Sequence, residues 1–249
     1  MSPRLDAELV RRGLARSRAQ AAELIGAGSV RLGGVPVVKG STPVLDDAVL
    51  EVVGPGQPWV GRAAYKLLGA LATFGPQGLT VVGRRCLDVG ASTGGFTQVL
   101  LSRGAEHVTA LDVGHGQLVA HLADDPRVTE RSGTNIRHCT ASDLGGPFDV
   151  VVADLSFISL RLVLPVLATL IDRSGDLVAL IKPQFEVGRE RLGKGGVVRS
   201  AAHRRTAVRG VLDVAAREGL GVAGLVPSPI RGTTGNREYL GWFTPRAHD

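Results

Sequence analysis

Four residues far apart in the chain could together do proton chemistry. Asp154 closes the apolar run VVVAD, and Lys182 follows the apolar run LVALI. Such runs read as buried strands, and in open α/β sheets reacting groups gather at the carboxyl ends of strands. Lys66 lies on an expected helix over residues 62–74, and Glu238 opens the last expected strand. Two lysines beside two carboxylates suit the deprotonation of a weakly acidic hydroxyl, with Asp154 and Glu238 holding the lysines in place. A lysine acts as a base only where part of it is neutral. From a reference pKa near 10.4, about one lysine in 2,500 is neutral at pH 7. A second cation, a cationic cofactor and partial burial each raise that fraction.

A second chemical stretch is RRCLDVGASTGGFT, residues 84–97. It reads as a strand, a glycine turn and the start of a helix, the form of a nucleotide pocket. The dinucleotide pattern G-x-G-x-x-G fails, because Ser92 stands two positions after Gly90. The phosphate-loop pattern fails because Phe96 occupies the lysine position. The remaining reading is S-adenosylmethionine. Its amino-acid end would lie against Asp88, Gly90, Ser92, Gly94, Gly95 and Phe96, where missing side chains permit close approach. Asp112 ends the next apolar run and would accept the ribose hydroxyls; Asn135 would line the adenine, and Asp154 would border the same ligand.

Absences narrow the acceptor. Transfer to an exocyclic amine calls for an Asn/Asp-Pro-Pro-Tyr type loop, whereas this chain reads Asp154-Leu155-Ser156-Phe157. Transfer to a pyrimidine carbon calls for a cysteine nucleophile, but Cys86 falls inside a strand and Cys139 has no proline neighbour. A hydroxyl fits best.

The elements that must position these groups come in two sets. Residues 1–56 read as a small α+β domain: a helical face from Leu5, Leu9 and Val10, a capped helix from Ser17 to Ala27, a hairpin across Gly33-Gly34, and a strand near residue 50. The first 40 residues carry seven basic side chains against three acidic ones. Arg4, Arg16, Arg18 and Arg31 are the expected phosphate contacts there. Residues 57–60 read as a linker. Residues 61–249 alternate strands and helices, which indicates a doubly wound, Rossmann-like α/β domain. Helices are expected over residues 117–122 and 160–171. A glycine-rich basic loop, GRERLGKGGVVR, adds Arg189, Arg191 and Lys194 as RNA contacts. Net charge +6 and a pI near 10.0 point to an anionic partner. No apolar run approaches the ~18 residues of a spanning helix, and the first residues carry no signal segment. The histidines have no metal-ligand spacing, so no metal is expected, and cytoplasm and a monomer are the simplest expectations.

The run LDAELVRRGLARSRAQAAELIGAGSVRLGGVPVVK resembles the α-L RNA-binding module of ribosomal small-subunit protein four, pseudouridine synthases and tyrosyl-tRNA synthetases. The segments SRAQAAELIGAGSVRL, RRCLDVGASTGGFTQVLLSRGA, VVADLSFISL, KPQFEVGR and GNREYLGWF resemble the TlyA family, two-domain proteins also labelled hemolysins, whose larger domain is similar to FtsJ-type class I methyltransferases. The resemblance implies methyl transfer from S-adenosylmethionine to the 2′-hydroxyl of a cytidine in ribosomal RNA. Its catalytic tetrad falls on Lys66, Asp154, Lys182 and Glu238, with Lys182 as base. The short tail after residue 244 resembles family members that act mainly on large-subunit RNA, with small-subunit RNA as the second target. Two other readings remain: a non-catalytic RNA-binding assembly factor, and a membrane-active hemolysin.

Overall fold

The computed structural model describes residues 3–52 and 59–245. The chain divides into two compact units, Met1–Pro58 and Trp59–Asp249. Of the expected linker, Gln57 and Pro58 lie outside the described residues. Trp59 and Val60 belong to the second unit, where the Val60 N–H donates to Gln98 Oε1 at 2.7 Å.

The first unit holds helices α1 (Leu5–Arg11) and α2 (Arg18–Gly26) and strands β1 (Val30–Leu32), β2 (Val35–Pro36) and β3 (Leu50–Val52). The sheet runs β2-β1-β3, antiparallel throughout. Gly33 and Gly34 both adopt positive φ, as a two-residue hairpin turn requires. Leu5, Leu9, Leu24, Ile25, Val30 and Val44 form the core. Ser17 caps α2 by accepting from the Gln20 N–H at 3.2 Å. The Gln20 side chain turns instead to the Arg16 N–H, at 2.7 Å, so half of the expected reciprocal cap forms.

The second unit contains α3 (Ala63–Phe74), β4 (Arg85–Val89), α4 (Gly95–Ser102), β5 (His107–Leu111), α5 (Ala120–Ala123), β6 (Val128–Arg131), α6 (Ala141–Leu144), β7 (Phe148–Ala153), α7 (Leu164–Leu170), β8 (Ile171–Ile181), α8 (Pro183–Glu186), α9 (Ala201–Arg217), β9 (Leu220–Pro227) and β10 (Tyr239–Pro245). One seven-stranded sheet has the order β6-β5-β4-β7-β8-β10-β9. Neighbours from β6 to β8 pair in parallel, and β10 lies antiparallel between β8 and β9. The sheet is therefore mixed at one edge. Side chains alternate faces along each strand. Leu87, Val151 and Leu177 pack beneath α7 and α9, while Cys86, Val150 and Val178 pack beneath α3 and α4. Both faces are buried, which is why the strands read as continuous apolar runs.

Two expected helices are shorter than the residue pattern suggests. The stretch 160–171 forms a 3-10 turn over Leu160–Leu162 and then α7, because Pro165 lacks an N–H and suits only a helix start. The helix expected over residues 117–122 begins only at Ala120, because before it Gln117 Oε1 accepts from Ser92 Oγ (3.0 Å) and the Val119 N–H donates to the Thr93 carbonyl (3.4 Å). Strand order reverses between β4 and β7, the switch point at which such sheets bind ligands.

Candidate active site

The glycine turn after β4 is held by backbone contacts. At Gly90, φ is +88°, and an added Cβ would stand 2.8 Å from the Asp154 carbonyl oxygen, so only glycine lets the two strand ends lie together. Asp112, after β5, ties down the other side. Its Oδ2 accepts from the Ser92 N–H and its Oδ1 from the Gly114 N–H, each at 2.8 Å. Ser92 and Phe157 are the described non-glycine residues with positive φ, at 48° and 64°. Such strained backbone persists where surrounding structure holds it, and it clusters at functional sites.

Three expected cofactor residues do not face the cavity. Asp88 lies fully buried beneath the turn, where Thr97 Oγ1 donates to its Oδ2 at 2.7 Å. Its Oδ1 is buried without a hydrogen-bond partner among the described residues, and burial pushes its pKa up to about 7. Asp88 braces β4 against α4. Gly94 is required by φ +97° and by the Leu118 and Leu122 side chains, which a Cβ would strike. Asn135 caps a 3-10 turn, accepting from the Arg137 N–H at 3.1 Å, and its neighbour Ile136 stands on the wall. Gly90, Ser92, Gly95, Phe96 and Asp154 do line a cavity of about 270 Å³. A second cavity of about 330 Å³ shares Gly90, Ser92 and Asp154 with it and adds Asp112, Ile136 and Leu155.

The four candidate catalytic residues meet in one buried network. Lys66 comes from α3, Asp154 from the end of β7, Lys182 from the end of β8, and Glu238 from the start of β10. Lys182 Nζ lies 2.6 Å from Asp154 Oδ1, Lys66 Nζ lies 3.2 Å from Asp154 Oδ2, and Lys66 Nζ lies 2.9 Å from Glu238 Oε2. Two lysines alternate with two carboxylates, so each buried charge has an opposite partner. Gln184 Nε2 extends the chain by donating to Glu238 Oε1 at 3.1 Å.

A third cavity, of about 290 Å³, is lined by Lys66, Lys182, Gln184 and Glu238 of this network. Lys66, Ser156 and Lys182 are common to it and to the first. Its far wall includes Phe157, 93% exposed, whose ring packs 5.5 Å from that of Phe185. Neither aromatic stood out in the sequence, although each falls a few residues past a strand end. Two clamps also escaped it. The Glu186 carboxylate accepts from Ser159 Oγ (2.6 Å), the Leu160 N–H (2.7 Å) and Arg161 Nε (3.0 Å), joining the loops after β7 and β8. Asn236, 1% exposed, accepts from the Val198 N–H (2.9 Å) and donates to the Gly196 carbonyl (2.9 Å), pinning the glycine-rich loop beside Glu238.

The expected RNA contacts whose side chains are described are exposed but not all unpaired. Asp6 holds Arg4 (3.0 Å) and Arg18 (2.9 Å), which keeps its carboxyl well below the usual range. Arg16 Nε donates to Gln20 Oε1 at 3.3 Å, and Arg31 stands exposed on β1. Arg191 lies 3.5 Å from Glu190, Lys194 sits in a 3-10 turn, and the Arg189 side chain lies outside the described residues. Among the described residues no helix is long and apolar enough to cross a membrane, and no group of His, Cys, Asp and Glu is arranged to hold a metal.

Comparison with known proteins agrees with this geometry. Residues 59–244 match the FtsJ-like methyltransferase family, and residues 3–50 match the S4 domain. The 16S/23S rRNA (cytidine-2′-O)-methyltransferase TlyA of Mycobacterium tuberculosis is 55% identical over 96% of this chain and 89% of its own length. Hemolysin A of Brachyspira hyodysenteriae is 37% identical over 96% of this chain and 99% of its own. A hemolysin-labelled structure from Streptococcus thermophilus superposes with a TM-score of 0.77 at 38% identity, covering 98% of this chain and 90% of that one. This chain belongs to the TlyA family, an FtsJ-like methyltransferase joined to an S4 domain.

Proposed function

We propose that the protein is a cytoplasmic enzyme that transfers a methyl group from S-adenosylmethionine to the ribose 2′-hydroxyl of a cytidine in ribosomal RNA. The observation that carries this reading is the Lys66–Asp154–Lys182–Glu238 network, whose two lysines line both the first and the third cavity. The residues on the first two cavities fit the cofactor. The Gly90–Gly95 turn and the amino end of α4 suit its carboxylate, and the Asp112 carboxylate, with lone pairs beyond the two it gives to backbone, suits the ribose hydroxyls. Ile136 and Leu155 offer apolar sides to a base. S-adenosylmethionine supplies an electrophilic methyl on a sulfonium.

The chain's own residues then act on the RNA. Phe157 and Phe185 offer ring faces to an unstacked base beside the lysines. Lys182 takes the proton of the 2′-hydroxyl at Nζ. Asp154 and Glu238 fix Lys182 and Lys66, so the hydroxyl meets positioned groups rather than mobile ones. The S4 unit adds phosphate contacts through Arg16, Arg18 and Arg31, and the loop after α8 adds Arg191 and Lys194.

The test is transfer of labelled methyl to small and large ribosomal subunits from a strain lacking the protein. Wild type labels a subunit, and folded Lys182→Ala binds the same subunit without labelling it. Equal labelling by both would refute the assignment of Lys182 as base.

A further inference from the structure

We infer that Ser156 is a positioning residue that aims the basic electron pair of Lys182; this rests on the methyl-transfer reading above. Among the described residues Lys182 Nζ donates a hydrogen bond to Ser156 Oγ at 2.8 Å and stands in an ion pair with Asp154 Oδ1 at 2.6 Å. A neutral amine has two N–H bonds and one electron pair in a tetrahedral set. Ser156 Oγ accepts one N–H bond, and the Asp154 carboxylate repels an electron pair turned towards it, so the pair is left in the one remaining direction. The proton of the 2′-hydroxyl moves there to become the third N–H of the ammonium. The pair released on the ribose oxygen forms the bond to the methyl carbon, whose former bonding pair stays on the donor sulfur. Asp154 alone cannot set that direction. Its other oxygen is engaged by Lys66, and a single contact leaves the amine free to turn about its carbon–nitrogen bond.

Placement supports the role. Ser156 lines all three cavities around the network. Lys182 is 7% exposed, whereas Ser156 is exposed, so the hydroxyl meets the amine from the open side. The next residue, Phe157, is held at φ 64°, which sets the Ser156–Phe157 turn over the cavities. Phe185, 5.9 Å from Lys182 Nζ, presents a ring and no acceptor oxygen, so it cannot replace the hydroxyl.

The test compares wild type, Ser156→Ala, Ser156→Thr and Lys182→Ala in steady-state methyl transfer to ribosomal subunits, with calorimetric binding of S-adenosylhomocysteine and circular dichroism for each. Ser156→Ala is expected to lower kcat about 10- to 100-fold, the scale of a misdirected reacting group, with KM for the subunit and cofactor-product affinity within about twofold. Ser156→Thr keeps the hydroxyl and is expected to recover kcat to within about threefold of wild type. The inference is overturned if folded Ser156→Ala keeps its kcat, if it changes only KM or affinity, or if folded Ser156→Thr is as slow as Ser156→Ala. If wild type methylates and Lys182→Ala does not, either outcome at Ser156 concerns this inference alone. If wild type labels neither subunit, the methyl-transfer reading falls and this inference with it.

Discussion

Glu238→Gln is the sharpest probe of the charge network. The side chain is 2% exposed and its Oε2 lies 2.9 Å from Lys66 Nζ, itself 10% exposed. At an effective dielectric of about 20, that separation corresponds to roughly 6 kcal/mol of attraction. Desolvation offsets part of it. Removing one partner from a buried pair typically costs about 3–5 kcal/mol, because the other charge is stranded. In the variant Asp154 alone would face two buried ammonium groups, leaving the cluster with a net positive charge. The double change Lys66→Met with Glu238→Gln removes both charges and leaves the Lys182–Asp154 pair neutral. The double variant is therefore expected to recover about 2–3 kcal/mol relative to the sum of the single variants. The assay is urea unfolding of the four proteins, read at the transition of the larger unit, with both units followed separately because two-state behaviour is not assured across them. Additive single effects would refute the view that the four groups form one electrostatic unit.

Further outcomes follow from the same geometry. Phe157→Ala should leave stability within about 0.5 kcal/mol, since the ring is 93% exposed, while lowering kcat/KM for subunit methylation by about 5- to 100-fold through lost base stacking; unchanged kcat/KM would remove Phe157 from the acceptor site. Asp88 has a folded-state pKa raised to about 7 by burial, so the fold favours its protonated form. Its contribution is fully present below pH ~4 and is lost as pH rises towards ~7. Asp88→Asn should flatten that decline in unfolding free energy, and a parallel curve would contradict the buried placement. Asp112→Ala removes the acceptor of two backbone N–H groups and should weaken cofactor binding by about 10-fold or more in titration calorimetry; unaltered affinity would place the nucleoside elsewhere.

The network residues were readable because each sits at the end of a strand or on an apolar helix, positions that composition and run length mark well. Depth was harder. Asp88 follows Cys86 by two positions, so both point beneath α4, where burial turns Asp88 into a brace rather than the ligand contact its place in the glycine motif suggested. Gly94 looked like a ligand glycine because its packing partners, Leu118 and Leu122, lie over twenty residues on. Pro165 cut a helix whose apolar spacing was otherwise continuous. Phe157, Glu186 and Asn236 gave no local signal. Their roles depend on which loops the switch point brings together, which periodicity does not encode. In the first unit, pairing of Arg18 with Asp6 is also tertiary, joining residues twelve apart.

The most direct measurement is the chemical identity of the product. Ribosomal subunits methylated by the purified protein with S-adenosylmethionine would be digested to nucleosides and analysed by mass spectrometry. The account predicts 2′-O-methylcytidine in wild-type reactions and none with Lys182→Ala. A methyl group on the cytosine ring or its amine would contradict it, since the lysine–carboxylate network would then have no hydroxyl to deprotonate.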